Sequence, residues 1–253
     1  MKDNDNVLIR NKKNYNNIYK TSFGENENSK LFYYDEKNNI CFSFTPKAGC
    51  TVTFSQFLDI VGLLEDALNY KPFVHKYRCE VLRKKIKVLD YNILVERKTV
   101  FLKFIVNPYS RVISIYKHNM ISKDLNLTFR EYLNILINKK DMLSHSDKRH
   151  CVLQYIEGEE RIITKYIKLD KNESFNTIIN GKPYTINPNN YSTGIHHSKR
   201  TDSTIMCGDI PRDKIEDCLP KSYKYFYDDD IKKMVEKLYK KDIEKYGYTF
   251  EEL

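Results

Sequence analysis

The pattern of apolar and polar positions predicts strands that alternate with helices along most of the chain. Residues 31–34 and 40–45 form two short apolar runs joined by a polar turn, and residues 99–106 form a third apolar run. Apolar residues spaced three and four apart predict a helix after Thr51 and another near residues 229–246. This alternation predicts an α/β fold with a central parallel sheet flanked by helices.

Local signals divide the chain and mark several element ends. Residues 1–30 are rich in Asn, Lys and Ser, which predicts a flexible or loosely packed N-terminal arm, and residues 31–253 are predicted to form a single domain. Residues 171–212 hold several Asn, Gly and Pro residues and are predicted to be long loops. Pro108 suits the first turn of a helix. Thr128 suits an N-cap, with Glu131 at the capping-box position.

The most informative segment is the strand, turn and helix around residues 41–51. The apolar run ends at Pro-Lys-Ala-Gly-Cys-Thr, and a helical pattern follows directly. A small-residue loop between a strand and a helix N-terminus is typical of phosphate binding, because backbone N–H groups face the anion. A Walker loop has its lysine after the glycines, whereas Lys47 precedes Gly49. The segment therefore predicts a phosphate-bearing ligand without an ordinary ATP or GTP loop.

Charge and cysteine content narrow the classes of protein less strongly. The net charge is +9, from 43 basic and 34 acidic residues, and this fits either a lysine-rich surface or an anionic partner. The six cysteines are scattered without a C-x-x-C pair, which favours reduced thiols and argues against a zinc site. No apolar run matches a signal peptide or a membrane span. A cytoplasmic location is predicted, and the Asn- and Lys-rich composition leaves a viral chain in a host cytoplasm open.

Two motifs together resemble those of the sulfotransferase superfamily, which uses 3′-phosphoadenosine 5′-phosphosulfate (PAPS). Residues 45–51 resemble its 5′-phosphosulfate loop, and residues 104–116 resemble its 3′-phosphate motif. The nearest branch is that of the carbohydrate sulfotransferases of the chondroitin and HNK-1 type. Three further segments are similar to that branch, namely residues 127–133, 150–154 and 238–248. The resemblance covers roughly residues 40–250.

This resemblance implies a P-loop-like fold and a PAPS-dependent enzyme that sulfates a hydroxyl acceptor, with a glycan as the expected class. No metal is implied, because side chains and backbone supply the charges. The donor-binding residues implied are Lys47, Ala48, Gly49, Cys50, Thr51, Arg111, Ser114, Lys199 and Arg200. Among these, Lys47 is implied to stabilise the leaving phosphate, and Ser114 to bind the 3′-phosphate.

One position departs from the family pattern. The family has an arginine directly before the Asn-Pro or Asp-Pro step of the second motif, whereas this chain has Val106 there. Arg111, or the basic pair Lys199 and Arg200, is expected to supply the missing charge to the 3′-phosphate. The departure leaves room for weaker PAPS binding or for a different donor.

A hydroxyl acceptor needs a base, and histidine titrates near neutral pH. The resemblance implies a base from the segment between the two phosphate motifs, where His75 is the only histidine. His150 is the second candidate, either as the base or as part of the acceptor pocket. Glu65 and Glu80 are carboxylate alternatives. Asp242 follows an apolar helical stripe and is predicted to be structural, paired with a basic residue of the core.

Two other functions remain open on the residues alone. One is a kinase-like enzyme with a variant phosphate loop, although the Walker order and an evident magnesium carboxylate are missing. The other is a nucleotide-binding or nucleic-acid-binding protein that has lost its catalytic turnover. The presence of Val106 in place of the family's arginine leaves this alternative open. Nucleic acid is the less favoured partner, and the sequence assigns neither an acceptor nor an oligomeric state.

Overall fold

The computed structural model describes residues 15, 17–23, 30–123, 126–139, 145–191, 201–215 and 220–253. The chain forms two compact units. Unit 1 contains Met1–Thr45, Gly49–Ile105 and Ile156–Ile195, and unit 2 contains Pro46–Ala48, Val106–Tyr155 and His196–Leu253. Both units contain residues from the range 31–253, over which the sequence predicts a single domain.

Unit 1 is built on a mixed sheet of six strands. In chain order the strands are β1 (Ile18–Phe23), β2 (Lys30–Asp35), β3 (Ile40–Phe44), β4 (Lys87–Val88), β5 (Val100–Ile105) and β6 (Lys165–Lys168). Their order across the sheet is β4-β1-β2-β3-β5-β6. The pairs β1–β4, β3–β5 and β5–β6 are parallel, whereas β2 is antiparallel to both β1 and β3. The sheet is therefore mostly parallel.

The sequence predicts a central parallel sheet, and the structure has a mostly parallel one in which strand β2 is antiparallel. Only residues 36–39 separate β2 from β3. A connection of that length can close a hairpin, but a parallel crossover needs a dozen or more residues. The short polar turn predicted from the sequence is thus the reason why β2 and β3 are antiparallel.

Strand β1 lies within residues 1–30, where the sequence predicts a flexible or loosely packed arm. Residues 18–23 pair with β2 along their whole length, and Ile18 is buried. Those six residues therefore belong to the sheet. Of the remainder of 1–30, the structure describes Tyr15, Asn17 and Lys30, so the prediction for the other residues lies outside the described ranges.

Helices cover both faces of the sheet in unit 1. In chain order they are α1 (Cys50–Ile60), α2 (Leu64–Tyr70), α3 (Val74–Tyr77), α4 (Arg83–Lys85) and α5 (Tyr91–Glu96), with a π-helical turn (Arg78–Leu82) joining α3 to α4. On one face, Phe54 and Phe57 of α1 pack against Tyr33, with ring centroids 5.1 and 5.7 Å away. The neighbours of Tyr33 on β2 point to the opposite face, where they pack with Leu94 of α5.

A two-stranded hairpin corrects part of the long loops predicted over residues 171–212. Strands β7 (Phe175–Ile179) and β8 (Lys182–Ile186) pair antiparallel. The turn between them is Asn180-Gly181, and both residues have positive φ, 51° and 75°. A two-residue turn of this kind suits the twist of a hairpin, and Asn-Gly is its strongest sequence signal.

A fully buried ion pair lies within unit 1. Lys103 of β5 donates to Glu159, and both side chains are 0% exposed. Glu159 also accepts a hydrogen bond from the backbone N–H of Ile156, at 2.8 Å. Charges this deep are tolerated because each has a partner. The pair therefore joins β5 to the segment that leads into β6.

Unit 2 is helical in the ranges that the structure describes. In chain order its helices are α6 (Pro108–Lys123), α7 (Phe129–Asn138), α8 (His145–Cys151), α9 (Arg212–Ile215) and α10 (Asp229–Tyr246). The predicted capping box at the start of α7 is confirmed, since Thr128 and Glu131 exchange hydrogen bonds. The predicted bounds of α10 are confirmed as well. Among all helices in the described ranges, none is long and apolar enough to cross a membrane.

Candidate functional site

The turn between β3 and α1 has the form that the sequence predicts. Strand β3 ends at Phe44 and α1 begins at Cys50. Within the turn, Lys47 and Gly49 both have positive φ, 63° and 65°. Lysine rarely adopts this conformation, and such backbone strain clusters at functional sites. The strained lysine therefore marks this turn as a candidate site.

Glycine is favoured at position 49 for two reasons. Its φ is unfavourable for any residue with a Cβ atom. A Cβ added there would also lie 2.2 Å from Cδ1 of Leu169, directly after β6. A side chain at position 49 would therefore require the Leu169 side chain to shift.

The N-terminus of α1 has no capping side chain. Its N-cap residue is Gly49, and its first turn holds no acidic residue. The first N–H groups of a helix have no partner within the helix, and they carry a partial positive charge. Because Gly49 supplies no side-chain oxygen to them, this helix start is suited to an external anion.

The side chain of His75 lies beside the start of α1. Its Nε2 atom is 3.1 Å from Thr51 Oγ1 and 3.3 Å from Cys50 Sγ. The imidazole ring is stacked on Phe54, with centroids 6.4 Å apart, and meets the edge of Phe73 at 4.8 Å. The structure thus brings His75 into contact with Cys50 and Thr51, which precede it by 25 and 24 positions. All three were selected as candidate site residues from the sequence.

Arg111 is placed differently from the sequence prediction. It is buried on α6 and donates to the backbone oxygens of Pro46, His150 and Val152, at 3.1, 2.9 and 2.8 Å. Its guanidinium also lies 3.9 Å from the carboxylate of Asp242. These contacts are those of a structural residue that joins three segments of unit 2. The role of phosphate ligand predicted for Arg111 stays a prediction beside these structural contacts.

The prediction for Asp242 is confirmed. The carboxylate is buried beside Arg111 and accepts hydrogen bonds from the backbone N–H groups of Gln154 and Tyr155, both at 2.8 Å. The side chain of Gln154 in turn binds the backbone of Val106, accepting from its N–H at 3.1 Å and donating to its oxygen at 2.9 Å. Position 106 is therefore anchored through its backbone.

The remaining predicted residues lie in unit 2 or outside the described ranges. Ser114 is half-buried on α6. The His150 ring meets the His118 ring edge to face, with centroids 4.6 Å apart, and its backbone oxygen is bound by Arg111. Lys199 and Arg200 fall outside the residues that the structure describes. Among the described residues, no group of three His, Cys, Asp or Glu is arranged to hold a metal ion.

Sequence reasoning missed a residue close to this site. The guanidinium of Arg78 lies over the rings of Phe44 and Phe54, at 5.8 and 5.7 Å from their centroids. Arg78 follows His75 by three positions on a continuous helical segment. The spacing was a usable signal, because residues three apart share a helix face.

The comparisons with known proteins assign no family to the chain. No protein-family model, no curated protein and no solved structure matches it.

Proposed function

We propose that the chain is a P-loop-like, PAPS-dependent sulfotransferase that transfers a sulfuryl group to a hydroxyl acceptor, with a carbohydrate as the acceptor class. The observation that carries the proposal is the contact between His75 Nε2 and Thr51 Oγ1, at 3.1 Å. It places a candidate general base at the N-terminus of α1, where an anion is favoured. The motif resemblance supports the same assignment.

The proposed reaction needs one bond to form, one to break and one proton to move. The acceptor oxygen attacks sulfur, the bond between sulfur and the 5′-phosphate oxygen breaks, and its electron pair stays on the phosphate. The acceptor proton passes to Nε2 of His75. Catalysis of such transfers rests mainly on positioning and on stabilising the leaving charge. Lys47 suits that second task as a mobile point charge.

Thr51 has two tasks in this proposal. In the structure its hydroxyl lies against His75 Nε2. A hydroxyl can rotate, so Thr51 can donate to a phosphate oxygen of the substrate. That rotation would withdraw the nearer of the two groups that contact Nε2 of His75, leaving Cys50 Sγ at 3.3 Å and a position for the acceptor hydroxyl. Thr51 therefore links donor binding to exposure of the base.

The 3′-phosphate is assigned by the resemblance to Ser114, with Lys199 and Arg200 supplying the positive charge. Arg111 is not used in this assignment, because its side chain is buried and its Nε and Nη2 atoms donate to backbone oxygens of unit 2. Together with Val106, this favours a second candidate, a nucleotide-binding protein whose ligand lacks a 3′-phosphate. A kinase-like enzyme using ATP belongs to the same group.

Thermal unfolding in the presence of ligands tests these candidates. We expect adenosine 3′,5′-bisphosphate (PAP) to raise the melting temperature, because a ligand at 100 times its Kd adds about 2.7 kcal/mol of stability. ATP with magnesium and a single-stranded oligonucleotide should have little effect at the same concentration. A response to ATP with magnesium and none to PAP would overturn the proposal and favour the second candidate.

Replacing His75 by alanine should slow turnover far more than it weakens PAP binding. Loss of a general base costs about 10²–10⁴ in rate. Initial rates with labelled PAPS and a panel of glycan, small-alcohol and tyrosyl-peptide acceptors measure the first quantity, and PAP titration measures the second. His150→Ala is the matched variant, since His150 is the other candidate base. Unchanged turnover in His75→Ala with loss in His150→Ala would move the base to His150.

A further inference from the structure

A large share of the chain's positive charge lies within residues 71–88 of unit 1. This segment holds seven Lys or Arg residues and one acidic residue, so its net charge is +6, compared with +9 for the whole chain. The acidic residue, Glu80, is already engaged, because its carboxylate accepts from Tyr70 and pairs with Lys76. The cations are densest at the end of the segment, where four fall within five positions, namely Arg83, Lys84, Lys85 and Lys87.

These four cations lie at one edge of the six-stranded sheet. Helix α4 contains the first three of them and leads into β4, which contains Lys87 and is the outermost strand. Strand β4 pairs with β1, where Lys20 lies opposite Val88. The ammonium group of Lys20 also donates to the backbone oxygen of Arg83, at 3.4 Å. Lys20 therefore joins the four cations in one surface, which we call the basic edge.

The cations of the basic edge are not neutralised by acidic side chains in the described part of the chain. Two of them are half-buried, namely Lys20 and Arg83, and the other three are exposed, namely Lys84, Lys85 and Lys87. None of the five forms an ion pair with a carboxylate of a described residue. Like charges held close together repel one another, so a negatively charged partner at this edge would be stabilising.

Aliphatic side chains are exposed beside these cations. Val88 is 71% exposed on β4, directly after Lys87. Helix α5 begins three residues after Val88, and its residues Ile93 and Val95 are 36% and 44% exposed. Successive side chains of a strand point to opposite faces, so a partner that approaches the sheet from its edge meets both Lys87 and Val88. The basic edge therefore offers positive charge and apolar surface together.

This combination distinguishes between the anionic partners that lysines attract. Clustered cations with neighbouring apolar side chains are typical of proteins that bind the surface of anionic membranes. Single-stranded nucleic acid favours aromatic side chains on which bases stack, whereas the exposed apolar residues here are aliphatic. An acidic glycan would leave these aliphatic side chains in water. A lipid surface is the partner that uses both properties of the basic edge.

We propose that the basic edge, together with Val88 and the exposed aliphatic residues of α5, binds the surface of an anionic membrane. The contact is peripheral. The lysines meet the phosphates and carboxylates of the headgroups, and Val88 enters the boundary between headgroups and acyl chains. This inference goes beyond the proposed function and does not rest on it, because it uses none of the residues assigned to PAPS binding or to sulfuryl transfer.

Vesicle flotation tests the membrane contact. One set of vesicles contains phosphatidylcholine alone, and the other contains phosphatidylcholine with an equal amount of phosphatidylserine. We expect the chain to float with the mixed vesicles and not with phosphatidylcholine alone. Binding should fall when NaCl is raised from about 0.1 M to about 1 M, because the Debye length shortens from about 10 Å to about 3 Å. Equal binding to both kinds of vesicle would overturn the proposal.

The double variant Lys84→Gln with Lys87→Gln measures the contribution of the cations. Each lysine near an anionic surface contributes about fivefold, so the variant should bind the mixed vesicles on the order of 20-fold more weakly. The control is Lys165→Gln with Lys182→Gln, which removes the same charge from exposed positions on β6, at the other edge of the sheet, and on β8. Equal losses in the two double variants would show a general charge effect and contradict the proposal.

The double variant Val88→Thr with Val95→Thr separates a lipid surface from other anions. Both positions are exposed, so the melting temperature should not change, but vesicle binding should weaken several-fold as apolar contact is lost. Ile178→Thr, at a 58% exposed position on β7, is the matched control and should bind as wild type does. If heparin or a single-stranded oligonucleotide binds through Lys84 and Lys87 while the mixed vesicles do not bind, the proposal is overturned and the basic edge is assigned to a soluble polyanion.

Discussion

Replacing Lys47 by alanine is expected to abolish sulfuryl transfer while the fold survives. The lysine sits at the centre of the turn between β3 and α1 and is partly exposed, so its removal leaves no buried cavity. A positioned cation on a transferring group contributes about 10³-fold or more to the rate. Initial rates with labelled PAPS, together with the melting temperature of each variant, measure the two effects separately.

Lys47→Gly separates the chemistry of the side chain from the strain of the backbone. At a φ of 63°, glycine avoids a penalty of about 1 kcal/mol that lysine and alanine both carry. Lys47→Gly should therefore be as inactive as Lys47→Ala but more stable than it. Lys71→Ala, at an exposed position between α2 and α3, should retain activity. Wild-type rates in Lys47→Ala would remove this residue from the mechanism.

Replacing Asp242 by alanine is expected to be the most destabilising single change in unit 2. It would leave the Arg111 guanidinium buried without a counter-charge, and two backbone N–H groups without their acceptor. Breaking one half of a buried pair costs about 3–5 kcal/mol. Urea unfolding should show a lower midpoint at an unchanged slope.

Asp230 supplies the matched control for this measurement. It lies on the same helix as Asp242, but its side chain is 78% exposed. Asp230→Ala should change the free energy of unfolding by no more than about 0.5 kcal/mol. Equal effects of the two substitutions would contradict the structural role assigned to Asp242.

The elements predicted correctly from sequence are those determined by neighbouring residues. The capping box needs only Thr128 and Glu131, three positions apart, and the start of α6 needs only Pro108. The hairpin of β7 and β8 had an equally local signal in Asn180-Gly181, and it was missed because the surrounding Asn and Pro residues favour loops. Strand β1 was missed for the same reason, since an Asn-rich context outweighed a short alternating run.

Those parts of the candidate site that lie within one segment could be predicted from the sequence. Contacts between residues that are far apart in the sequence could not. Lys47 and Gly49 follow from the turn between a strand and a helix. His75 follows from its place between two motifs, although only the fold shows its contact with Thr51. The structural contacts of Arg111 could not be read from the sequence, because its partners, which include Asp242, lie up to 131 positions away. No local pattern distinguishes a buried structural arginine from an exposed binding one.

The buried pair of Lys103 and Glu159 has a consequence for how this chain can diverge. A single substitution at either position would leave an uncompensated charge at 0% exposure, at a cost of several kcal/mol. Replacing both together with apolar residues of similar volume avoids that cost. Divergence at positions 103 and 159 is therefore coupled, and mutational paths that change them one at a time pass through a poorly folding intermediate.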